Sequence, residues 1–271
     1  MKKVSVIIPC YNQSEYIEEA ILSVVNQTYP NIEIICIDDC SSDNSAQIIK
    51  SLVEQYKNIV FLSNIENVGV VKSRNKAVEV STGQYILPLD GDDIISESYI
   101  EKAVKILEEK PDIGICYCRA RFIGEKSGEW LLPKFDSDKL LYSNHIFASA
   151  LFRKADFIVA GGYKDYMKDG FEDWDLWLSF VEMGLSAYKI NEILFSYRQK
   201  AESRSHLANK KDMELRQELL KHHPKLYLKS YIQHIEIYNY KIKKYKKMLI
   251  GSILLILSAS LVIITLFASP S

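Results

Sequence analysis

The stretch Tyr85-Ile86-Leu87-Pro88-Leu89-Asp90-Gly91-Asp92-Asp93 joins a mostly apolar run directly to three carboxylates. The apolar run has the length and composition of a buried β-strand. Three acidic side chains so close together repel one another unless a positive group lies among them. Clustered carboxylate oxygens favour a hard divalent cation, Mg²⁺ or Mn²⁺, which commonly also holds a phosphate-bearing substrate. The stretch therefore predicts a metal–diphosphate site with Asp90 and Asp92 as ligands; the alternative is a simple Asp-Gly turn.

Apolar strands and amphipathic helices alternate through roughly the first hundred residues. Strand-like runs cover residues 4–8, 33–37, 59–62 and 85–89, and a helix is expected over 70–80. This alternation favours a mostly parallel α/β sheet with right-handed crossovers. Ligands bind beyond the carboxyl ends of the strands in such sheets. Because Pro9, Asp39 and the acidic turn each follow a strand, we expect them to lie at one edge of the sheet.

The composition is that of a packed domain: 48% of the 271 residues are hydrophobic and 25% are charged. The formal net charge of −1 offers no bulk reason to expect nucleic acid as a partner. The five cysteines include no Cys-x-x-Cys pair. They are expected to be free thiols in a reducing compartment.

The C-terminal part of the chain differs from the rest. Residues 248–267 carry no charge, and a run of about 20 apolar residues matches the thickness of a bilayer. They predict one transmembrane helix, preceded by a basic, helical juxtamembrane connector over 209–247 that lies against membrane lipid. The lysines before the span place domain 1–208 on the cytoplasmic side. A buried core helix is the alternative, and the short apolar run before Pro9 predicts no cleaved export signal.

Three further residues are candidates for binding or catalysis. Asp39 can accept a hydrogen bond from a base edge or a ribose hydroxyl. Arg74 lies in a predicted helix, and both a helix N-terminus and a guanidinium group favour anions. We therefore expect Arg74 to lie close to a diphosphate or a base; the alternative is an arginine that faces solvent. Asp173 lies at the start of a helix, where the dipole favours its ionised form. It can therefore act as a general base, or alternatively only as a cap.

Taken in order, these segments resemble the nucleotide-sugar glycosyltransferases of GT-A type, specifically the large family 2 of inverting enzymes. The resemblance extends over about residues 3–205. It implies a Rossmann-like, mostly parallel mixed sheet flanked by helices. The segments that carry it are residues 4–12, 38–43, 67–69 with 74–75, 90–93 and 172–175.

The resemblance assigns a role to each matching residue. It implies that Arg74 helps to hold the nucleotide and that Asp90 and Asp92 hold the nucleotide-sugar and, chiefly through Asp92, the cation. The residues that would line the nucleoside pocket are Pro9, Tyr11 and Asp39.

The implied reaction is a single displacement at the anomeric carbon, with inversion. Asp173 would take the acceptor proton, and Glu172 and Trp174 would lie on the acceptor side. The expected donor is a UDP-sugar, and the expected acceptor is a glycan or a lipid-linked glycan in cell-surface polysaccharide or glycolipid assembly. The alternative is a membrane-tethered sugar-nucleotide binding module without turnover.

One segment departs from the family pattern. Many relatives carry Tyr-Arg-x-His near the end of the catalytic domain, whereas this chain has Tyr197-Arg198-Gln199-Lys200. A protonated lysine cannot ligate a cation, but it can contact phosphate as a point charge. The sequence therefore supplies no histidine as a third metal ligand at this position.

Overall fold

The computed structural model describes residues 1–200, 208 and 210–267, with side chains through 250 and at 252. Its first part alternates strands and helices, as the hydrophobic pattern predicts. The helices bury one face each; in the first of them Ile17, Ala20, Ile21 and Val24 are buried. The elements are β1 (Val4–Cys10), α1 (Ile17–Val25), β2 (Ile32–Asp38), α2 (Ser45–Gln55), β3 (Ile59–Ser63), α3 (Val70–Val80) and β4 (Tyr85–Pro88).

These four strands form a parallel sheet in the order β3-β2-β1-β4. Their register brings the polar segments to one edge, because Cys10 pairs with Asp38 and Asp38 pairs with Ser63. The inner strands β1 and β2 are buried on both faces, as expected for parallel strands covered by helices. The acidic turn after β4 therefore opens at the same edge as the ends of β1 and β2.

The second part of the sheet is mixed. Its elements are β5 (Ile94–Ile95), α4 (Tyr99–Glu109), β6 (Ile113–Gly124), β7 (Gly128–Trp130), α5 (Ser137–Leu140), β8 (Leu151–Arg153), α6 (Lys154–Ala160), a 3-10 turn (Asp165–Met167), α7 (Glu172–Glu182) and β9 (Ser186–Gln199). Beyond β4 the strand order continues β8-β6-β9-β5, with β7 paired to β6. The β6–β9 pair is parallel, whereas β8 pairs antiparallel with both β4 and β6. This architecture confirms the expected α/β mixed sheet flanked by helices.

Aromatic side chains form the core beneath this second part. The ring of Phe152, on β8, stacks on Phe157 with centroids 5.6 Å apart and meets Trp177 edge-on at 5.9 Å. Such pairs add to the free energy of burial through their complementary quadrupoles. Since Trp177 lies on α7, this packing fixes α7 against the sheet and sets the position of its N-terminus.

Two helices follow: α8 (Asp212–His222) and α9 (Pro224–Phe267). The chain divides into a compact unit of Met1–His223 and a second unit of Pro224–Ser271. The division predicted from the sequence, with a catalytic domain over 1–208, a connector over 209–247 and a membrane span over 248–267, stays a prediction.

The predicted transmembrane helix finds no support here. Within the part of the chain that the structure describes, no helix combines the length and apolar character needed to cross a membrane. Most of the segment over 248–267 has side chains outside the described residues. The expected membrane anchor therefore rests on the amino-acid sequence alone.

Candidate active site

The acidic turn after β4 is tightly packed. The backbone N–H of Asp93 donates to the carbonyl of Asp90 at 3.0 Å, which closes the turn. A Cβ at Gly91 would lie 3.1 Å from Ile17 Cδ1 and 3.2 Å from the carbonyl oxygen of Pro9. Glycine is therefore favoured between the two aspartates because the end of β1 passes so close to it.

Asp90 shares a buried arginine with the start of α7. Arg74, which is 2% exposed, donates from Nη2 to Asp90 Oδ1 at 2.5 Å and from Nη1 to Glu172 Oε1 at 2.8 Å. Burial opposes the guanidinium charge, but the two carboxylates raise the pKa of Arg74 above its ordinary value, so it stays protonated. The ion pairs tie α3, the acidic turn and α7 together across the cavity. The solvent-facing alternative for Arg74 is wrong.

Asp93 supports the acidic turn from inside the protein. Its side chain is buried and accepts a hydrogen bond from the backbone N–H of Arg198 at 2.8 Å. Burial, with the nearby charges of Asp92 and Asp90, raises the pKa of Asp93 well above its ordinary value. Arg198 Nε also donates to the carbonyl of Asp92 at 2.8 Å. Asp93 thus fastens the acidic turn to the end of β9.

Asp92 pairs with a lysine that follows β9. Lys200 Nζ lies 2.5 Å from Asp92 Oδ2 and donates to Gln13 Oε1 at 3.0 Å. Burial and then the charge of Asp90 raise the pKa of Asp92, and the bond and charge of Lys200 partly offset that rise. The lysine in place of the family's histidine is therefore in direct contact with the acidic turn.

One side of the site is organised around Asp39, the predicted nucleoside contact. This buried carboxylate accepts from Gly69 N at 2.8 Å, Val68 N at 3.0 Å and Asn64 Nδ2 at 2.8 Å. Asp39 thus orders the loop that leads into α3, and it also lines the cavity. Its predicted contact with a base stays a prediction, since each bond above is made to the protein itself.

Two residues near Asp39 adopt left-handed backbone conformations. Asn12 has φ 53° and Cys40 has φ 62°; non-glycine residues reach this region at a cost of about 1 kcal/mol or more. The Asn12 side chain recovers part of this cost because its Oδ1 accepts from the backbone N–H of Ser42 at 2.8 Å. These turns expose Tyr11, whose side chain is 48% exposed at the cavity.

The candidate base lies at the first turn of α7. Asp173 Oδ1 accepts from the backbone N–H of Trp174 at 2.8 Å, and its Oδ2 accepts from Asn144 Nδ2 at 3.2 Å. The preceding Phe171 is left-handed, with φ 61°, which marks the start of the helix. Asp173 is half-buried and lines the cavity, so its position suits a group that meets an incoming hydroxyl.

The two predicted acceptor-side residues are more deeply buried. Glu172 is 4% exposed and pairs with Arg74, and Trp174 is 1% exposed and donates from Nε1 to the Leu140 carbonyl at 2.6 Å. Both also border the cavity. Their contacts hold the start of α7 in place, and their role towards an acceptor stays a prediction.

The candidate site residues described above border one cavity of about 780 Å³. It is large enough for a ligand of several rings, and its wall combines carboxylates, cationic side chains and aromatic rings. Every site residue predicted from the sequence borders it: Pro9, Tyr11, Asp39, Arg74, Asp90, Asp92, Glu172, Asp173 and Trp174.

Residues 5–174 match the model of glycosyl transferase family 2. The chain belongs to this family. An uncharacterized glycosyltransferase of Methanocaldococcus jannaschii is 31% identical over 205 residues, which cover 72% of this chain and 70% of the relative. TuaG of Bacillus subtilis, described as a putative teichuronic acid biosynthesis glycosyltransferase, is 31% identical over 205 residues, 72% of this chain and 78% of the relative.

Solved structures support the fold of this family 2 glycosyltransferase. Staphylococcus aureus TarS 1–349, solved in complex with UDP-GlcNAc, superposes with a TM-score of 0.64 at 20% identity, covering 75% of this chain and 60% of that one. The mannosyltransferase PcManGT of Pyrobaculum calidifontis, solved with GDP-Man and Mn²⁺, gives a TM-score of 0.64 at 19% identity, covering 85% and 69%. The mixed α/β sheet flanked by helices is thus a GT-A-like fold.

The side chains at the acidic turn do not by themselves fit a resident divalent cation. Asp92 is paired with Lys200 and Asp90 with Arg74. Among the described residues, no group of three or more His, Cys, Asp or Glu is arranged to hold a metal ion. The expectation of Mg²⁺ or Mn²⁺ therefore stays a prediction.

Several supporting residues were not predicted from the sequence. Asn64 and Asn144 hold Asp39 and Asp173, but single asparagines in irregular segments carry no recognisable pattern. The Arg74–Glu172 pair joins residues 98 apart in the chain. Only the tertiary structure brings these two side chains together.

Proposed function

We propose that this family 2 glycosyltransferase moves a glycosyl group from a nucleoside-diphosphate sugar, a UDP-sugar in the first instance, to an acceptor hydroxyl with inversion. The observation that carries the proposal is the single cavity bordered by Asp39, the acidic turn and Asp173. A donor of this class needs a nucleoside pocket, cationic groups for its diphosphate and a base for the acceptor. All three kinds of residue border that cavity.

In this proposal the nucleoside binds beside Pro9, Tyr11 and Asp39. Tyr11, 48% exposed, offers a ring face to a base, and ring–base stacking contributes about 1–3 kcal/mol. Asp39 is already held by three donors. Its carboxylate is therefore fixed before a nucleoside arrives, which lowers the entropy lost on binding.

The diphosphate binds, in the same proposal, beside the acidic turn and the cations around it. Arg74 keeps Asp90 partly neutralised and holds it towards the start of α7. Lys200 in the same way keeps Asp92 partly neutralised. The carboxylates of Asp90 and Asp92 are thereby kept from repelling the donor as strongly as free carboxylates would.

The transfer step uses Asp173 as the base. Its carboxylate takes the proton of the acceptor hydroxyl, whose oxygen forms the new bond to the anomeric carbon. The bond from that carbon to the diphosphate oxygen breaks, and its electron pair leaves with the nucleoside diphosphate. One in-line displacement inverts the anomeric centre. The Asn144 bond to Asp173 Oδ2 holds the base in place.

The acceptor is proposed to be a glycan of a cell-surface polysaccharide. The support is that a relative of similar sequence, TuaG, is described as a putative teichuronic acid biosynthesis glycosyltransferase. A lipid-linked glycan belongs to the same proposal, because the basic segment over 209–247 and the uncharged segment over 248–267 predict a position beside membrane lipid.

The test is a panel of sugar nucleotides, scored for released nucleoside diphosphate with the wild type, Asp173→Asn and the control Asp112→Asn. Asp112 is exposed and lies in the turn before β6, so its variant should match the wild type. Asp173→Asn should lose turnover by about 10²–10⁴-fold while donor binding, measured by calorimetry, stays within about twofold. Donor binding without turnover in the wild type would instead favour the sugar-nucleotide binding module. Binding of no sugar nucleotide at all would refute the proposal.

A further inference from the structure

The cations around the acidic turn have different surroundings. Arg74 is sealed inside, 2% exposed, with Asp90 and Glu172 on its two terminal nitrogens. Lys200 is more open: its side chain is 26% exposed, and it borders the cavity beside Asp92. A ligand in the cavity can therefore meet the ammonium group of Lys200 more readily than the guanidinium of Arg74.

The ammonium of Lys200 is held by the surrounding side chains. Asp92 Oδ2 lies 2.5 Å from Nζ, Gln13 Oε1 lies 3.0 Å away, and the ring of Tyr16 has its centroid 5.2 Å away. An ammonium carries three N–H donors. Among the described residues these contacts use two of them, so a third is free for an oxygen of a ligand.

A divalent cation bound to Asp92 would have to displace this lysine. Asp92 Oδ2 is the atom that Lys200 holds, and the other carboxylate of the pair, Asp90, holds Arg74. The positive charge that a diphosphate needs is therefore already present on a side chain, at the carboxylate where a cation would be held. Ammonium groups bind phosphate as compact point charges.

We propose that Lys200 supplies the positive charge that offsets the donor diphosphate, so that this chain binds nucleoside diphosphates without a divalent cation. The inference rests on the proposed function, because it concerns the same donor site. Lys200 contacts the diphosphate directly in this assignment, while Asp92 and Gln13 position its ammonium group.

The experiment is calorimetric titration of the full chain with UDP, GDP and uridine, each in EDTA and in Mn²⁺. The wild type should bind at least one of the two diphosphates in EDTA, with an affinity within about threefold of that in Mn²⁺. Lys200→Gln should weaken diphosphate binding in EDTA about tenfold or more, a change of about 1.4 kcal/mol. Uridine, which has no phosphate, should bind both proteins alike. Lys200→Arg, which keeps the charge, should retain most of the affinity.

The matched control is Lys105→Gln. Lys105 also pairs with a carboxylate, Glu109, at 3.9 Å, but on the exposed face of α4. Its variant should bind like the wild type, and circular dichroism of all variants should confirm an unchanged fold.

A second readout is direct binding of Mn²⁺ in the absence of nucleotide, followed by electron paramagnetic resonance. Lys200→Ala frees Asp92 Oδ2 and should bind Mn²⁺ at least severalfold more tightly than the wild type.

Three outcomes would overturn the inference about Lys200. These are diphosphate binding that appears only with Mn²⁺, a Lys200→Gln variant that binds in EDTA like the wild type, and equal Mn²⁺ affinity in wild type and Lys200→Ala. Failure of the proposed function looks different: no sugar nucleotide or diphosphate would bind under either condition.

Discussion

Arg74→Met keeps much of the side-chain volume and removes the positive charge between Asp90 and Glu172. Glu172 is 4% exposed, so its carboxylate stays buried without the guanidinium. Removing one partner of a buried ion pair costs about 3–5 kcal/mol. In a unit the size of Met1–His223, each kcal/mol lowers Tm by about 2–4 °C. We therefore expect Tm to fall by about 6–20 °C.

Urea unfolding, analysed by linear extrapolation, measures this loss for Arg74→Met, Glu172→Gln and the double variant. In the double variant the neutral amide that Glu172→Gln introduces replaces the buried charge. The double variant should therefore lose less free energy of unfolding than the two single variants together, by about 1–3 kcal/mol. The control is Arg119→Met. Arg119 pairs with Glu129 through two bonds of 2.7 Å, but the side chains are 34% and 30% exposed. Solvent screens such a pair, so little change is expected.

Equal midpoints for Arg74→Met and Arg119→Met would refute the reasoning. So would a double variant whose loss equals the sum of the two single losses, because the buried pair would then contribute no coupling.

Three more predictions concern packing and pH. Gly91→Ala forces a Cβ to 3.2 Å from the Pro9 carbonyl oxygen. The variant should lower the free energy of unfolding in urea by about 1–3 kcal/mol and weaken diphosphate binding. Unchanged binding would show that the turn adapts. Burial opposes ionisation of Glu33, but hydrogen bonds from Ser5 and Thr82 lower its pKa to about 2 from the ordinary 4.5. The stability that the Glu33 carboxylate contributes is thus present above pH 4.5 and is lost as pH falls towards 2. In urea unfolding, Glu33→Gln should therefore be less stable than the wild type at pH 7 and should approach the wild type near pH 2. A difference in stability that does not change with pH would contradict this. Burial lowers the pKa of His223, but its contacts with Asp175 and Glu182 raise it above 6.5 overall. The stability that protonated His223 contributes is full below pH 6.5 and is lost as pH rises through its higher pKa in the folded state. His223→Gln should therefore be more destabilising at pH 6 than at pH 9 in urea titrations, and the reverse order would count against this.

The first part of the fold could be predicted from the sequence because its signals are local. Each helix buries one stripe and each strand one apolar run, so hydrophobic periodicity alone locates them. The helix predicted over 70–80 has those bounds in the structure, Val70–Val80. The parallel alternation also predicted Pro9, Asp39 and Asp90 at one edge of the sheet, since the carboxyl ends of parallel strands share that edge.

The second part of the fold was not predicted in detail. The long strand Ser186–Gln199 and the short strand Leu151–Arg153 carry weak patterns, because exposed and buried residues alternate irregularly along the first and the second has three residues. Their place is set by pairing with β6, which is distant in sequence. Strand pairing of this kind depends on neighbours in space rather than on local periodicity.

The sequence by itself determined the class of enzyme, the order along the chain of the strands and helices in the first part, and nine of the residues that border the cavity. Only the tertiary structure decided how charge is shared there: Arg74 lies between Asp90 and Glu172, and Lys200 rests on Asp92. The physical reason is that periodicity and turn chemistry act between neighbours in the chain. An ion pair forms wherever packing brings two charges together, and Lys200 reaches Asp92 only because β9 ends beside the acidic turn.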